Sequence, residues 1–363
     1  MNKINETTEL ENRPSDVGDS HNFGRYTHSE IIDGKKYFRK HRNLFWEWLL
    51  FDESAPLCET LKCFMPEHFI KATFGLKIQQ PLEKNTGLVE AFTHEIPYKN
   101  LPYDEANYHN LGLQCAYFAV FGIIDLTLDN LKIVNGGVQV IDAECIFSLT
   151  STLEDSFLLP HKGNQFTANY GLFPFFYKVP NKEMCKQLIV GYIKGILTLE
   201  LHKEKILQTL SEVMKQFPLA PIRVLLRPTR VYDNYLTEAE EPAEEFIPEE
   251  KEQLNRGDIP YFFKFVGKKG IHYYSSSDYQ IADVSDSQIQ TQLTAVCPEL
   301  ILTSVRLNKI LISSGVNSLC KWSALGKNLE LEYSEQSCQI SIKNERVNIN
   351  YAGLGPISFG LFL

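Results

Sequence analysis

The chain has 363 residues and a formal net charge of −9, from 36 lysine and arginine against 45 aspartate and glutamate residues. This length predicts one large domain or two smaller ones, and the acidic balance argues against a general nucleic-acid surface. The eight cysteines form no Cys-x-x-Cys pair and no Cys/His cluster, which argues against a zinc site and against a disulfide scaffold. With no apolar run of about 18 residues and no apolar signal segment, we expect a cytoplasmic protein without a transmembrane segment, although export without a signal peptide stays open.

The first part of the chain changes from a polar segment to a turn and a hairpin. Residues 1–17 are polar and charged, and we expect them to be disordered. A turn then leads into two predicted strands near 26–32 and 36–41. They are joined at Asp33-Gly34, a dipeptide typical of tight hairpins.

The next segments complete a small N-terminal unit. The apolar run 43–51 predicts a short helix, and residues 68–75 and 87–95 predict further strands. We therefore expect a small sheet with one helix over residues 18–100.

A longer helical region follows. The apolar spacing over 104–121 predicts a helix, and two short apolar strands, 131–134 and 138–141, flank a turn at Asn135-Gly136-Gly137. Residues 181–215 again have helical spacing.

The C-terminal part contains an acidic stretch and then an alternating pattern. Residues 238–252 predict a solvated loop or the start of a helix, and 328–363 alternate as strands do. We assign residues 101–300 to a larger, mostly helical lobe and 301–363 to a strand-rich C-terminal region, which gives an α+β protein overall.

Three polar residues follow the apolar runs at a spacing typical of protein kinases. Asp125 comes just after the first run, Asn130 follows five residues later, and Asp142 closes the second strand. In kinases such an Asp orients the substrate hydroxyl, while an Asn and a second Asp bind the magnesium ions that bridge the ATP phosphates. Glu144 is a further candidate ligand. By itself, Asp-x-x-x-x-Asn near a strand end is also typical of ordinary turns.

A kinase also needs a cation for the phosphates. Lys40 ends the second hairpin strand, where kinases keep this lysine, and Glu47 on the next helix is a candidate ion-pair partner. A lysine at a strand end is also typical of edge strands that avoid aggregation. Four neighbouring basic residues compete with Lys40 for the role: Lys35, Lys36, Arg39 and Arg42.

Several segments, in the same order, resemble the dehydratase domain of the class II lanthipeptide synthetases (LanM type). They are GDSHNFGR (18–25), FRKHRN (38–43), DLTLDN (125–130), IDAE (141–144), IRVLLRPTRVY (222–232), GDIPYF (257–262) and SQIQTQL (287–293). GDIPYF is identical to a family hallmark, and together with the arginine segment it is the most specific of these matches. The resemblance covers roughly residues 18–300 and implies a lipid-kinase-like, two-lobed fold.

The resemblance also implies two reactions in one pocket. ATP with Mg²⁺ phosphorylates a Ser or Thr of a peptide or protein, and the pocket then eliminates the phosphate to leave a dehydroamino acid. The residues implied in phosphorylation are Lys40, Asp125, Asn130, Asp142 and Glu144. Those implied in elimination are Asp19, His21, Arg223 and Thr229, and Ser156 stands where the family keeps a threonine.

Elementary chemistry agrees with these roles. Arginine grips phosphate with two parallel hydrogen bonds, and a histidine carries protons near neutral pH. From the residues alone, His21 is also a candidate turn cap, and Arg223 is also a candidate partner of the acidic stretch.

The chain departs from the family at identifiable positions. Thr127 replaces the histidine of the catalytic loop, and His41 replaces the proline after the lysine. We expect neither the long N-terminal extension of the family nor its C-terminal zinc cyclase, so a separate cyclase would be a partner. These departures favour two alternatives: a kinase without elimination, such as a secreted effector kinase, and a catalytically weak, pseudokinase-like binding module.

Overall fold

The computed structural model describes residues 19–79, 85–93, 95–97, 100–101, 104–148, 152–161, 164–167, 169–178, 180–237, 245–266, 268–285, 309–322 and 329–361. This part of the chain is mixed α+β, with several small antiparallel sheets. None of its helices has the length and apolar composition needed to cross a membrane. The disorder predicted for 1–17 and the segment 287–293 of the family resemblance lie outside the described residues.

An antiparallel sheet forms the N-terminal unit. Its strands are β1 (His28–Ile32), β2 (Lys35–Lys40), β3 (Ile78–Gln79) and β4 (Gly87–Glu90), in the order β1-β2-β4-β3. Asp33 and Gly34 have φ values of 49° and 76°, so both central residues of the turn are left-handed, as the tightest hairpin turns require. The predicted hairpin is therefore confirmed.

Three short helices, rather than the single predicted helix, follow β2. They are α1 (Phe45–Phe51), α2 (Pro56–Lys62) and α3 (Glu67–Thr73). The strand predicted at 68–75 is wrong, because α3 occupies most of that range. Its buried residues include Phe69, Ile70 and Thr73, a helical spacing that a short apolar run does not distinguish from a strand.

Two long helices form the centre of the molecule. Helices α4 (Glu105–Val120) and α6 (Lys182–Leu201) pack side by side, and the hairpin of β5 (Leu131–Val134) and β6 (Gly137–Val140) lies between them in sequence. The short helix α5 (Phe173–Tyr177) precedes α6, and α7 (Lys203–Gln216) follows it. The helices and strands predicted here are confirmed to within about two residues.

A second antiparallel sheet carries the arginine segment. Strands β7 (Pro221–Val224), β8 (Phe262–Phe265), β9 (His272–Tyr274) and β10 (Ile281–Asp283) are adjacent in that order. Helices α8 (Thr229–Leu236) and α9 (Pro248–Leu254) connect β7 to β8. In the described part of the acidic stretch, helix α9 begins at Pro248, which confirms the predicted start of a helix. Glu249 and Glu250 are buried, and Glu250 accepts hydrogen bonds from Arg227 and Tyr232.

The C-terminal region completes the same core. After α10 (Lys309–Trp322), a meander of β11 (Leu331–Glu335), β12 (Cys338–Lys343), β13 (Arg346–Tyr351) and β14 (Leu354–Gly360) packs its apolar face inward. Lys194 of α6 contacts Glu335 at 2.7 Å, and Thr198 shares a hydrogen bond with Tyr351. One continuous apolar core therefore runs from α1 to this sheet.

The contact between α4 and α6 depends on glycine and gives a stability prediction. A Cβ atom at Gly112 would lie 2.2 Å from the carbonyl oxygen of Leu188 and 2.6 Å from the amide nitrogen of Tyr192. Although alanine is the better helix former, we expect Gly112→Ala to lower the free energy of unfolding by about 1–3 kcal/mol, because backbone must move apart. Urea denaturation measures this, with Gly355→Ala, where a Cβ meets no atom within 4 Å, as the control. Equal effects at the two sites would contradict the packing argument.

Candidate functional site

The loop after α4 holds Asp125 in an unusual backbone conformation. Asp125 has a φ of 63°, in the left-handed region, which aspartate tolerates better than most residues. Its neighbours are fixed on both sides, because Ile124 donates to the carbonyl of Cys145 and Leu126 donates to that of Ser156. Ser156 is buried, and its hydroxyl donates to Leu153 rather than lining the cavity described below.

Asn130 connects this loop to the segment after β6. Its side-chain amide donates to the carbonyl of Asp125 at 2.8 Å and to the Asp125 carboxylate at 3.3 Å. The backbone carbonyl of Asn130 accepts from the backbone amide of Ile141 at 2.9 Å. The β5–β6 hairpin therefore brings Asp125, Asn130 and Asp142 to one edge of the small β5–β6 sheet, as their order predicted.

Arg42 and Lys40 neutralise the carboxylates next to this edge. Lys40 Nζ lies 3.0 Å from Asp142 Oδ2 and donates to the carbonyl of Ile141 at 2.8 Å. The Arg42 guanidinium contacts Glu47 and Asp142, and its Nε lies 3.2 Å from Glu144 Oε1. The pair expected between Lys40 and Glu47 is replaced by one between Arg42 and Glu47.

Two other basic residues of the hairpin form ion pairs outside this group of carboxylates. Lys35 pairs with Glu90 and Arg39 pairs with Glu30. Lys40 is the last residue of β2 and Arg42 lies in the bend two residues later, and both side chains contact Asp142.

Burial and charge set the protonation of these groups. Burial would raise the pKa of Asp142, but Arg42 and Lys40 outweigh it and lower that pKa to about 2. The pKa of Glu144 is also lowered, since Arg223 and Arg42 outweigh its burial. Burial raises the pKa of Asp125 to about 6, only partly offset by Arg223. At neutral pH, Asp142 and Glu144 are therefore anionic, and Asp125 is a carboxylate of increased basicity.

Arg223 reaches the same edge from β7. Its Nη1 lies 3.3 Å from Glu144 Oε1, and its guanidinium carbon lies 5.2 Å from the centre of the Tyr261 ring. Nε and Nη2 are buried and have no hydrogen-bond partner among the described residues. Arg223 therefore pairs with Glu144 rather than with the described part of the acidic stretch, and its Nε and Nη2 keep their N–H groups for an anion.

His21 lies in the turn before β1. Its Nδ1 is 2.7 Å from the carbonyl oxygen of Ile259, and because a carbonyl only accepts, Nδ1 carries the proton and Nε2 is the basic nitrogen. Burial and the nearby Arg223 lower the pKa of His21, so the ring is neutral at pH 7. Asp19, two residues earlier, is exposed.

One cavity of about 830 Å³ joins these residues. Eight of the residues predicted for the site line it: Asp19, His21, Asp125, Asn130, Asp142, Glu144, Arg223 and Thr229. Thr229 is the first residue of α8. Lys40 is buried and reaches the site through its contact with Asp142. Segments more than 200 residues apart in sequence thus meet in a single space.

Sequence reasoning missed several residues of the cavity. Arg25, Lys132 and Tyr261 line it without having been predicted as site residues. Tyr261 belongs to GDIPYF, so this segment pointed to it. Arg42, considered only as a competitor of Lys40, makes more ion pairs than Lys40 does, and its position two residues after Lys40 was the available signal.

A scan against protein-family models finds no match to this chain. A search of curated proteins finds no significant relative.

Proposed function

We propose that this chain is a kinase-like enzyme that transfers phosphate from ATP to a Ser or Thr hydroxyl of a peptide or protein, and then eliminates that phosphate. One observation carries the proposal. Residues assigned to phosphorylation and residues assigned to elimination, from widely separated segments, line one cavity. Because a phosphorylated side chain formed there is already in reach of the second set, no transfer between sites is needed.

Asp125 supports the first reaction. In our proposal it accepts the proton of the substrate hydroxyl while the oxygen bonds to the γ-phosphorus of ATP and the bond from that phosphorus to the ADP oxygen breaks. A carboxylate with a pKa of about 6 is ionised at neutral pH, yet basic enough to take a proton. The hydrogen bonds from Asn130 orient it.

The oxygen atoms near Asp125 fit a magnesium ion. Glu144 Oε2 is buried without a hydrogen-bond partner in the described part of the chain, and Asn130 directs its side-chain nitrogen toward Asp125, which leaves its side-chain oxygen Oδ1 for the ion. Asn130, Asp142 and Glu144 would hold the ion, which when bound neutralises phosphate charge. The described residues contain no cluster of three or more His, Cys, Asp or Glu that would bind a metal unaided. Mg²⁺ commonly uses only one or two carboxylates together with phosphate oxygens.

His21, Arg223, Thr229 and Asp19 support the second reaction. A base removes the Cα proton, the electrons form the Cα–Cβ double bond, and the Cβ–O bond breaks so that phosphate leaves with the electron pair. The basic Nε2 of neutral His21 suits the proton transfer. The unpaired N–H groups of Arg223 suit the leaving phosphate, and the Thr229 hydroxyl is a further donor on the cavity wall.

Mass spectrometry tests the proposal directly. The full chain is incubated with Mg²⁺, ATP and Ser/Thr-containing peptides. We expect a gain of one phosphate mass that is replaced in time by the loss of one water. Phosphate gain alone would restrict the function to a kinase. The absence of both changes, together with no ATP-dependent thermal shift, would refute the proposal.

The pH dependence of phosphorylation tests the role of Asp125. Because its pKa is about 6, protonation removes the base as pH falls below that value. We expect kcat/KM to fall about tenfold per pH unit below 6 and to level off above pH 7. The ratio of wild type to Asp125→Asn at each pH removes the titration of the nucleotide itself. A flat ratio down to pH 5 would contradict the assignment.

A binding module without catalysis is the second candidate, favoured by one observation. Both oxygens of Asp142 already contact a cation, Lys40 on one side and Arg42 on the other. Such a site binds a phosphate ester without transferring it if these ion pairs persist. Thermal shift with ATP but unchanged peptide mass would support this candidate.

A further inference from the structure

The turn that carries His21 has a strained backbone. Three consecutive residues, Asn22, Phe23 and Gly24, have φ values of 50°, 72° and 75°. Glycine adopts this region freely, but a bulky residue such as Phe23 does so only where its surroundings fix it. The turn is closed by the backbone pair of His21 and Arg25, at 2.8 and 2.9 Å.

Asp258 supplies the fixing contacts. Its carboxylate accepts from the amides of Phe23 at 2.8 Å and Gly24 at 2.9 Å, and from the hydroxyl of Ser20 at 2.7 Å. Arg256 lies 3.5 Å away as a counter-ion and covers the Phe23 ring at 4.1 Å. The carboxylate therefore uses both oxygens to hold the left-handed part of the turn.

The residue after Asp258 extends the contact to the histidine itself. Ile259 donates its amide to the carbonyl of Ser20 at 2.8 Å and accepts from His21 Nδ1 at 2.7 Å. Asp258 is fully buried and does not line the cavity, so it touches no substrate.

We propose that Asp258 is the positioning residue of the elimination reaction: by holding the turn 20–24 against Ile259, it fixes His21 as the Nδ1-protonated tautomer with Nε2 as the base. This inference rests on the proposed function. It predicts that phosphorylation, which uses Asp125 and Asp142, is independent of Asp258.

The test compares two buried carboxylates that make the same kinds of hydrogen bond. Asp258→Asn keeps the shape but leaves one side of the group unable to accept an N–H. Asp52→Asn is the matched control, because Asp52 is also buried and accepts from the amide and hydroxyl of Ser54 and the amide of Ile78, away from the turn.

We expect Asp258→Asn to phosphorylate peptides at the wild-type rate and to accumulate phosphopeptide. The rate of elimination should fall about a hundredfold, as expected when a base is displaced by about 1 Å. Asp52→Asn should keep the wild-type ratio of dehydrated to phosphorylated product. Ser20→Ala removes only one of the three hydrogen bonds to Asp258 and should give a product ratio between those of wild type and Asp258→Asn. It replaces Asp258→Asn in the test if that variant does not fold.

Nitrogen-15 NMR of histidine-labelled protein provides a readout without activity, with His21 assigned from a His21→Gln spectrum. Wild type and Asp52→Asn should show the Nδ1-protonated tautomer, and Asp258→Asn (or Ser20→Ala in part) an average of both tautomers. Unchanged tautomer and product ratio in Asp258→Asn would overturn the inference. A wild-type protein that adds phosphate but never loses it would overturn it as well, leaving the kinase activity standing. If wild type adds no phosphate, the proposed function fails, whereas the tautomer comparison still decides whether Asp258 holds His21.

Discussion

Exchange of Asp142 for asparagine is expected to abolish phosphorylation, with a fall in rate of at least about 10²–10³-fold. Asp142 carries a full negative charge at pH 7, because Arg42 and Lys40 lower its pKa to about 2. An amide has one acceptor oxygen for these two cations, which contact opposite carboxylate oxygens, and its NH₂ group repels one of them. The charge that would help to bind a magnesium ion is lost as well. Initial rates of phosphopeptide formation, measured by mass spectrometry well below the melting temperature, give the effect.

Asp283→Asn is the matched control for this experiment. Asp283 also contacts a basic side chain, His272 at 2.7 Å, but its side chain is 75% exposed at the far edge of the β7–β10 sheet. The same change of charge there should leave the rate unaltered. A wild-type rate in Asp142→Asn would show that Asp142 neither binds the metal nor positions Lys40 and Arg42, and would remove the basis of the kinase proposal.

The regular elements of the fold were largely predictable because their patterns are local. The left-handed turn at Asp33-Gly34 and the periodicity of α4 and α6 follow from backbone sterics and from which face is buried. The strand predicted at 68–75 was wrong because the local pattern there is ambiguous. Four to eight apolar residues fit a buried strand and a short buried helix equally well, and only the packing of α3 against β6 and α4 decides between them.

That the candidate residues lie together was predictable from the sequence, but the ion pairs that they form were not. The order of Asp125, Asn130 and Asp142 placed them at one edge, because a short hairpin joins the two segments. Nothing in the local sequence states that Arg42 rather than Lys40 meets Glu47, since that depends on the direction of α1 after the hairpin. The hydrogen bonds of Asp258 to the turn 20–24 were equally unpredictable, because Ser20 and Asp258 are 238 positions apart in the sequence.

Removal of the Arg42 charge is expected to have the largest effect on stability. The Arg42 side chain is 9% exposed and contacts three carboxylates, among which Glu47 is 2% exposed. Arg42→Met keeps the approximate volume but leaves Glu47 buried without that cation. Breaking a buried pair on one side costs about 3–5 kcal/mol, and urea denaturation at pH 7 measures it.

The pH dependence and two further variants separate charge from packing. Burial raises the pKa of Glu47, so in Arg42→Met the folded state gains by protonating it, and the deficit should shrink as pH falls toward 5. Arg42→Met with Glu47→Gln should recover much of the loss, because the buried charge is gone. Arg39→Met, which breaks the partly exposed pair with Glu30 (side chains 30% and 26% exposed), should cost less than about 1 kcal/mol. If Arg42→Met costs no more than Arg39→Met, then the ion pairs of Arg42 do not hold the fold.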